Sequence, residues 1–333
     1  QYRVRQPLDV MQAEGMAQCT HTVLASKERI ILPTVVDLER LQPTTVLMHN
    51  TMHDDYLEAM EKYKRVNSAF IVFGQDDLMM ALPSKNPFAK TIYQDIKKRV
   101  RKSLSLADRL VVTTEPLAHA LSSLVDDIRV VPNYLDESIW GGLQSRRHAG
   151  TKPRVGWAGA QQHLGDLELL EEVVRETASE VDWVFFGMCP QFLKPYVNEV
   201  HDAVNFELYP GKLAQLNLDI ALAPLEHNRF NESKSNLRLL EYGALGWAVI
   251  ASDIHPYRDA PVCRVPNQAK AWIKAIRERI DDLDATWREG DKLRDWVRAD
   301  WFIHKNIEQW LTALDPASNP VSQYHNRTRV AGL

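Results

Sequence analysis

Cysteine is scarce in this chain: 333 residues carry only Cys19, Cys189 and Cys263, far apart and without metal-ligand spacing. An odd, sparse count argues against a disulfide framework and fits a reducing compartment with buried free thiols. No apolar run approaches the ~18 residues that a membrane-spanning helix needs, and no signal-peptide pattern opens the chain. A basic surplus is also lacking. The 40 Lys and Arg against 44 Asp and Glu leave a net charge of -4, with a pI near 6.3, which argues against a general nucleic-acid binder. The first residue is Gln1 rather than Met, as in a piece trimmed from a longer protein. These features read as cytoplasmic.

What is present is the composition of an ordinary soluble globular protein, 45% hydrophobic and 25% charged. The length suits two domains of about 150 residues each. Short apolar, β-branched runs alternate with longer helical patterns, the signature of βαβ units and parallel sheets. Candidate strands in the first half are residues 21–25, 45–49, 69–74, 109–114 and 128–133. In the second half they are 154–159, 183–187, 204–209, 220–225 and 248–253. Two sets of five imply two Rossmann-like domains rather than one sheet of ten. Helices are expected at 7–18, 167–179, 269–281 and 305–314. The first of these has no strand before it, so the opening strand of the first domain reads as missing. Gly141, Gly142 and Gly150 with Arg146-Arg147-His148 mark a linker-like stretch. The expected units are 1–140, 141–304, and a helix with an extended or disordered tail over 305–333.

The most informative segment is Asn228 to Asp253, NRFNESKSNLRLLEYGALGWAVIASD. It reads as loop, helix, turn and buried strand, just after another apolar run ending at Leu225. A polar loop on the carboxyl end of a strand, feeding a helix N-terminus, is where open α/β sheets take anions. Arg229 and Lys234 add cations there, with Ser235 and Asn236 beside them. Glu241 lies about two turns further on, where a carboxylate can accept hydrogen bonds from sugar hydroxyls. A ligand with phosphate at one end and ribose at the other suits this order. The second domain opens with RVGWAGAQQHLGDLELL, in which Gly156 and Gly159 permit close approach of a phosphate. In the first domain, AFIVFGQDDLMM places Asp76 and Asp77 after a buried strand, and TTVLMHNTMH ends another at His49. Adjacent carboxylates repel, so one acquires a raised pKa or a basic partner. Lys97-Lys98-Arg99-Val100-Arg101-Lys102 is a basic run on a helix. It is a solvated face or a dock for anionic lipid headgroups at ~1 kcal/mol per cation.

The segment from 228 to 253 resembles the donor-binding region of GT-B glycosyltransferases, and in particular the family 4-like enzymes of bacterial O-antigen and surface-polysaccharide assembly. The resemblance extends to the Asp-Asp-Leu of Asp76 to Leu78, to SLADRLVVTTEPLAHAL and to VVPNYLDESIW. It implies two Rossmann-like domains facing a cleft. It also implies transfer of a sugar from a nucleotide-diphosphate donor to a glycan or lipid-linked acceptor, with retained configuration and no metal. Glu241 matches the second acid of the family's paired-glutamate motif and would hold the donor ribose. The first acid falls at Ser233, with Glu232 one position off, which shifts weight to Lys234, Ser235 and Asn236. His163 and Asp166 resemble the His and Asp that follow the same strand in that branch, and Tyr209 would lie beside the nucleobase. The resulting donor set is Gly159, His163, Tyr209, Arg229, Lys234, Ser235, Asn236 and Glu241. Asp76, Asp77 and His49 are the candidates for the reacting end, and peripheral contact with the inner face of a membrane would run through Lys97–Lys102. Two other readings stay open: a nucleotide-sugar 2-epimerase of the same fold, and a non-catalytic glycosyltransferase-like domain of a larger assembly protein.

Overall fold

The computed structural model describes residues 1–21, 32–66, 68–90 and 94–318. Apolar runs too short for helices, such as Leu110 to Val112 and Ile220 to Ala223, become strands covered on both faces, as parallel sheets require. The first sheet holds β1 (Thr45–His49), β2 (Phe70–Gln75), β3 (Arg109–Val112) and β4 (Ile128–Val130), all parallel and in sequential order. The second holds β5 (Arg154–Ala158), β6 (Asp182–Gly187), β7 (Glu199–Asp202), β8 (Ile220–Ala223), β9 (Ala248–Ser252) and β10 (Cys263–Val265). Its order is β10-β9-β8-β5-β6-β7, again all parallel. The direction of winding reverses between β5 and β8. Loops after those two strands therefore diverge, and open α/β sheets bind ligands in the crevice between them.

Two crossings join the domains, and they touch. Leu135 N–H donates to Trp301 O at 2.9 Å, and Ile303 N–H donates to Leu135 O at 2.8 Å. The last helix, Ile307–Leu314, then returns to the first domain and buries Ile307 and Trp310 with Val72 and Val111. Arg109 on β3 holds it there. Its guanidinium is 1% exposed, pairs with Asp127 at 2.8 Å, and donates to the carbonyls of Ala313, Asp315 and Ser318. A cation at a helix C-terminus satisfies the orphan carbonyls and the dipole together.

Several elements differ from expectation. The strand foreseen at 204–209 is β7, at Glu199–Asp202, and Tyr209 instead begins a helix, Tyr209–Ala214. Pro210 explains the change, because its fixed φ suits a first helical turn and it has no N–H for a ladder. The helix at 167–179 is two, Leu164–Glu168 and Glu171–Thr177. The first helix is Arg5–Ala13, and β10 has no counterpart in the expected set. The expected strand at 21–25 and the tail beyond Ser318 lie outside the described residues, save His21. All three cysteines are free and half-buried. Among the described residues no helix is long and apolar enough to cross a membrane.

Candidate donor and acceptor cleft

A cavity of about 380 Å³ lies between the carboxyl edges of the two sheets. The second domain supplies most of its lining. β5 ends at Ala158, and the backbone then passes against the end of β6, where Gly159 N–H donates to Phe186 O at 2.9 Å. Gly187 there has φ +91, and a Cβ on it would meet Gly159 O at 2.4 Å. Only glycine allows that approach. Next comes His163, 8% exposed, its ring edge-on to Trp157. Its Nδ1 lies 2.8 Å from Asp166 Oδ2 and its Nε2 lies 3.2 Å from Arg238 Nη2. Burial, with the charges of Arg238 and Lys234, outweighs the Asp166 carboxylate and pushes the imidazole down to about 4. His163 is therefore neutral at pH 7.

Helix Leu237–Ala244 follows the loop after β8, and no side chain caps its N-terminus. Lys234 precedes it, its ammonium 4.6 Å from the Phe230 ring centre and 3.6 Å from Asp77 Oδ1. Arg238 on the first turn lies over the Trp157 ring at 5.4 Å. One turn on, Glu241 is 7% exposed and held by two phenols: Tyr2 donates to Oε1 at 2.8 Å and Tyr209 to Oε2 at 2.9 Å. Burial raises the Glu241 pKa, and those hydrogen bonds together with Arg238 oppose it.

First-domain groups brace this loop. Thr114 donates to Ser233 O at 2.8 Å, Asn133 donates to Ser235 Oγ at 2.8 Å, and Phe230 packs into the first-domain core. Across the cavity, Asp76 and Asp77 follow β2, each side chain keeping about a third of its surface in solvent (35% and 36%). Burial works to raise Asp76, but hydrogen bonds from His49 and Asn50, with the charge of Arg3, hold it well below the usual carboxylate range. Asp77 moves the other way: burial and its acidic neighbour raise it against the pull of Lys234. Water access moderates both shifts.

The structure brings Asp76, Asp77, Gly159, His163, Tyr209, Lys234, Ser235 and Glu241 to one cavity. His49 sits behind Asp76, its Nε2 3.5 Å from Oδ2. Arg229 is exposed on the short helix Arg229–Glu232, and Asn236 directly precedes helix Leu237–Ala244 without capping it through its side chain; neither lines the cavity. Sequence reasoning missed Arg238, which shares a helix face with Glu241 at i,i+3 spacing, a signal that was there to use. It also missed Asn133 and Tyr2. Tyr2 lies 239 residues from the carboxylate it binds, and nothing local announces it.

No protein-family model and no curated protein matches the chain by sequence. Solved structures do match in shape. TarM from S. aureus, solved with fondaparinux, α-GlcNAc-glycerol and UDP, aligns at TM-score 0.61 and 14% identity over 84% of this chain. HepE from Anabaena, with UDP and glucose, aligns at 0.59 and 11% over 83%. Sucrose-phosphate synthase from Thermosynechococcus elongatus aligns at 0.55 and 14% over 83%. The fold is GT-B. These three are GT-B glycosyltransferases, and the chain spans 58% of TarM, 79% of HepE and 75% of the synthase.

Proposed function

We propose that the chain is a glycosyltransferase that moves a sugar from a nucleoside-diphosphate donor to a glycan or lipid-linked acceptor. The observation that carries this is one cavity with two cations and an uncapped helix start at one end, a buried carboxylate one turn away, and two carboxylates opposite. Lys234 and Arg238 neutralise the diphosphate as it leaves, which is the largest electrostatic demand of the reaction. Glu241, which also accepts from Tyr2 and Tyr209, accepts hydrogen bonds from the ribose. The base packs by Phe186, Gly187, Val204 and Tyr209. UDP in TarM and HepE makes a UDP-sugar the first donor to try.

On the facing wall, Asp76 is held ionised and orients His49, while the raised pKa of Asp77 suits proton transfer from the acceptor hydroxyl. We assign the chain to the family 4-like, configuration-retaining enzymes of bacterial polysaccharide assembly, acting without a metal in the cytoplasm. The basic helix supports peripheral membrane contact: Arg99 and Lys102 pair with Asp54, Asp95 and Glu61, while Lys97, Lys98 and Arg101 are exposed. Titration with UDP and uridine, then UDP-sugar turnover with and without glycan acceptors, tests the reading. Acceptor-dependent UDP release is the expected result. Release of UDP with an altered sugar in the absence of acceptor would mean an epimerase, and no binding would mean a non-catalytic domain.

A further inference from the structure

Arg238 brings a full charge to the cavity, yet among the described residues its two hydrogen bonds run to neutral groups. Nη1 donates to the Tyr242 hydroxyl at 3.2 Å, and Nη2 faces His163 Nε2 at 3.2 Å. A guanidinium only donates, so the facing imidazole nitrogen must carry a lone pair. The proton of His163 then sits on Nδ1, pointed at Asp166 Oδ2 at 2.8 Å. The other oxygen of Asp166 collects Glu226 N–H at 2.8 Å and Asn231 Nδ2 at 2.9 Å, both from the segment between β8 and the donor helix. Asp166 itself is 5% exposed.

We propose that Asp166 is a positioning residue for the donor diphosphate: by keeping the His163 proton on Nδ1 it turns the Nε2 lone pair to Arg238 and aims that guanidinium into the cleft. The same carboxylate sets the spacing between the loop after β5 and the loop after β8, which together embrace the phosphate-facing end of the cavity. The relay needs neither a charge on His163 nor contact between Asp166 and the donor. It rests on the reading of the cavity as a nucleoside-diphosphate site.

Asp166→Asn tests it, because the amide oxygen can keep both loop bonds while its NH₂ turns to His163. Nδ1 must then accept, the proton moves to Nε2, and two donors confront each other at Arg238. Nitrogen NMR of the imidazole should show that tautomer change. UDP affinity should fall on the order of tenfold, the weight of one hydrogen bond to a charged group, with uridine affinity unchanged. The double variant Asp166→Asn/His163→Gln puts an amide oxygen before Arg238 without help from residue 166 and should regain most of the loss. His163→Leu, which leaves Asp166 in place, should lose as much as Asp166→Asn and serves if the latter does not fold. Wild-type UDP affinity in a variant with the switched tautomer would overturn the relay, as would equal losses for uridine and UDP. Arg238→Ala separates the two levels: a loss there with none in Asp166→Asn removes only the relay. No loss in either removes the diphosphate site beneath it as well.

Discussion

The first-domain wall of the cleft presents two carboxylates on a loop, each about one-third in solvent, while the second-domain wall presents two cations and one sealed carboxylate. Asp77 and Glu241 are both raised by burial, yet their surroundings differ. Asp77 faces water and an ammonium at 3.6 Å, so it can exchange a proton with a ligand. Glu241 sits between two phenol donors that are hard to deprotonate, since burial and the carboxylate raise both well above the ordinary tyrosine value. It is an anchored acceptor. Under the proposed function, carboxylates of one chemistry thus divide into a transfer group and a holding group by what surrounds them.

The largest effect that would break this comparison lies at Asp77. Asp77→Asn should lower turnover by about 10²–10⁴-fold, the usual weight of general-base help, with UDP affinity near wild type. Steady-state kinetics beside calorimetry read both quantities, and a collapse of UDP binding would move Asp77 to the donor side. Glu241→Ala should weaken uridine and UDP together by roughly 10- to 100-fold, the scale of hydrogen bonds to a charged acceptor. A loss confined to the diphosphate would remove Glu241 from the ribose. Lys234→Ala is the mirror image: UDP should suffer on the order of tenfold and uridine hardly at all, so equal losses would undo the division between its ends.

Tyr2→Phe sharpens the holding role. Without its hydroxyl, Glu241 Oε1 is free for the ribose, and uridine affinity should rise by about tenfold, the low end for a hydrogen bond to a charged acceptor. Weaker binding would make Tyr2 an orienting partner rather than a competitor. The smallest effect is on stability. His163 titrates near 4 in the folded chain against 6.5 when exposed. The unfolded state therefore takes the proton first as pH falls, and its contribution, complete above 6.5, drains away toward 4. Between pH 7 and 5.5 the loss should be about 1 kcal/mol. Denaturant midpoints at the two pH values should show that slope in wild type and a reduced one in His163→Leu.

Much of this was legible in one dimension. Parallel sheets covered on both faces need apolar runs at βαβ spacing, so β1 to β6, β8 and β9 announce themselves through composition alone. Helix Leu237–Ala244 is legible for a similar reason: Lys234, Ser235 and Glu241 lie within eight positions, and one helix and its entry loop put them on one cavity. Short edge elements are not. β7 has a single apolar residue, Val200, and β10 lies between Pro261 and Pro266, so neither shows the apolar run that marks the others, and Pro210 reassigns Tyr209 to a helix.

By itself the amino-acid order determined which segments are strands, which loops end at a carboxyl edge, and which charges those loops carry, because all of these are local. Only the tertiary structure decided what faces what. Asp77 meets Lys234, Asn133 meets Ser235, and Tyr2 meets Glu241 across domain boundaries, and no local spacing encodes such pairs. The same holds for the His163 tautomer. Its proton is assigned by an aspartate three residues on and an arginine 75 residues away, a juxtaposition that exists only once the sheet has reversed its winding between β5 and β8.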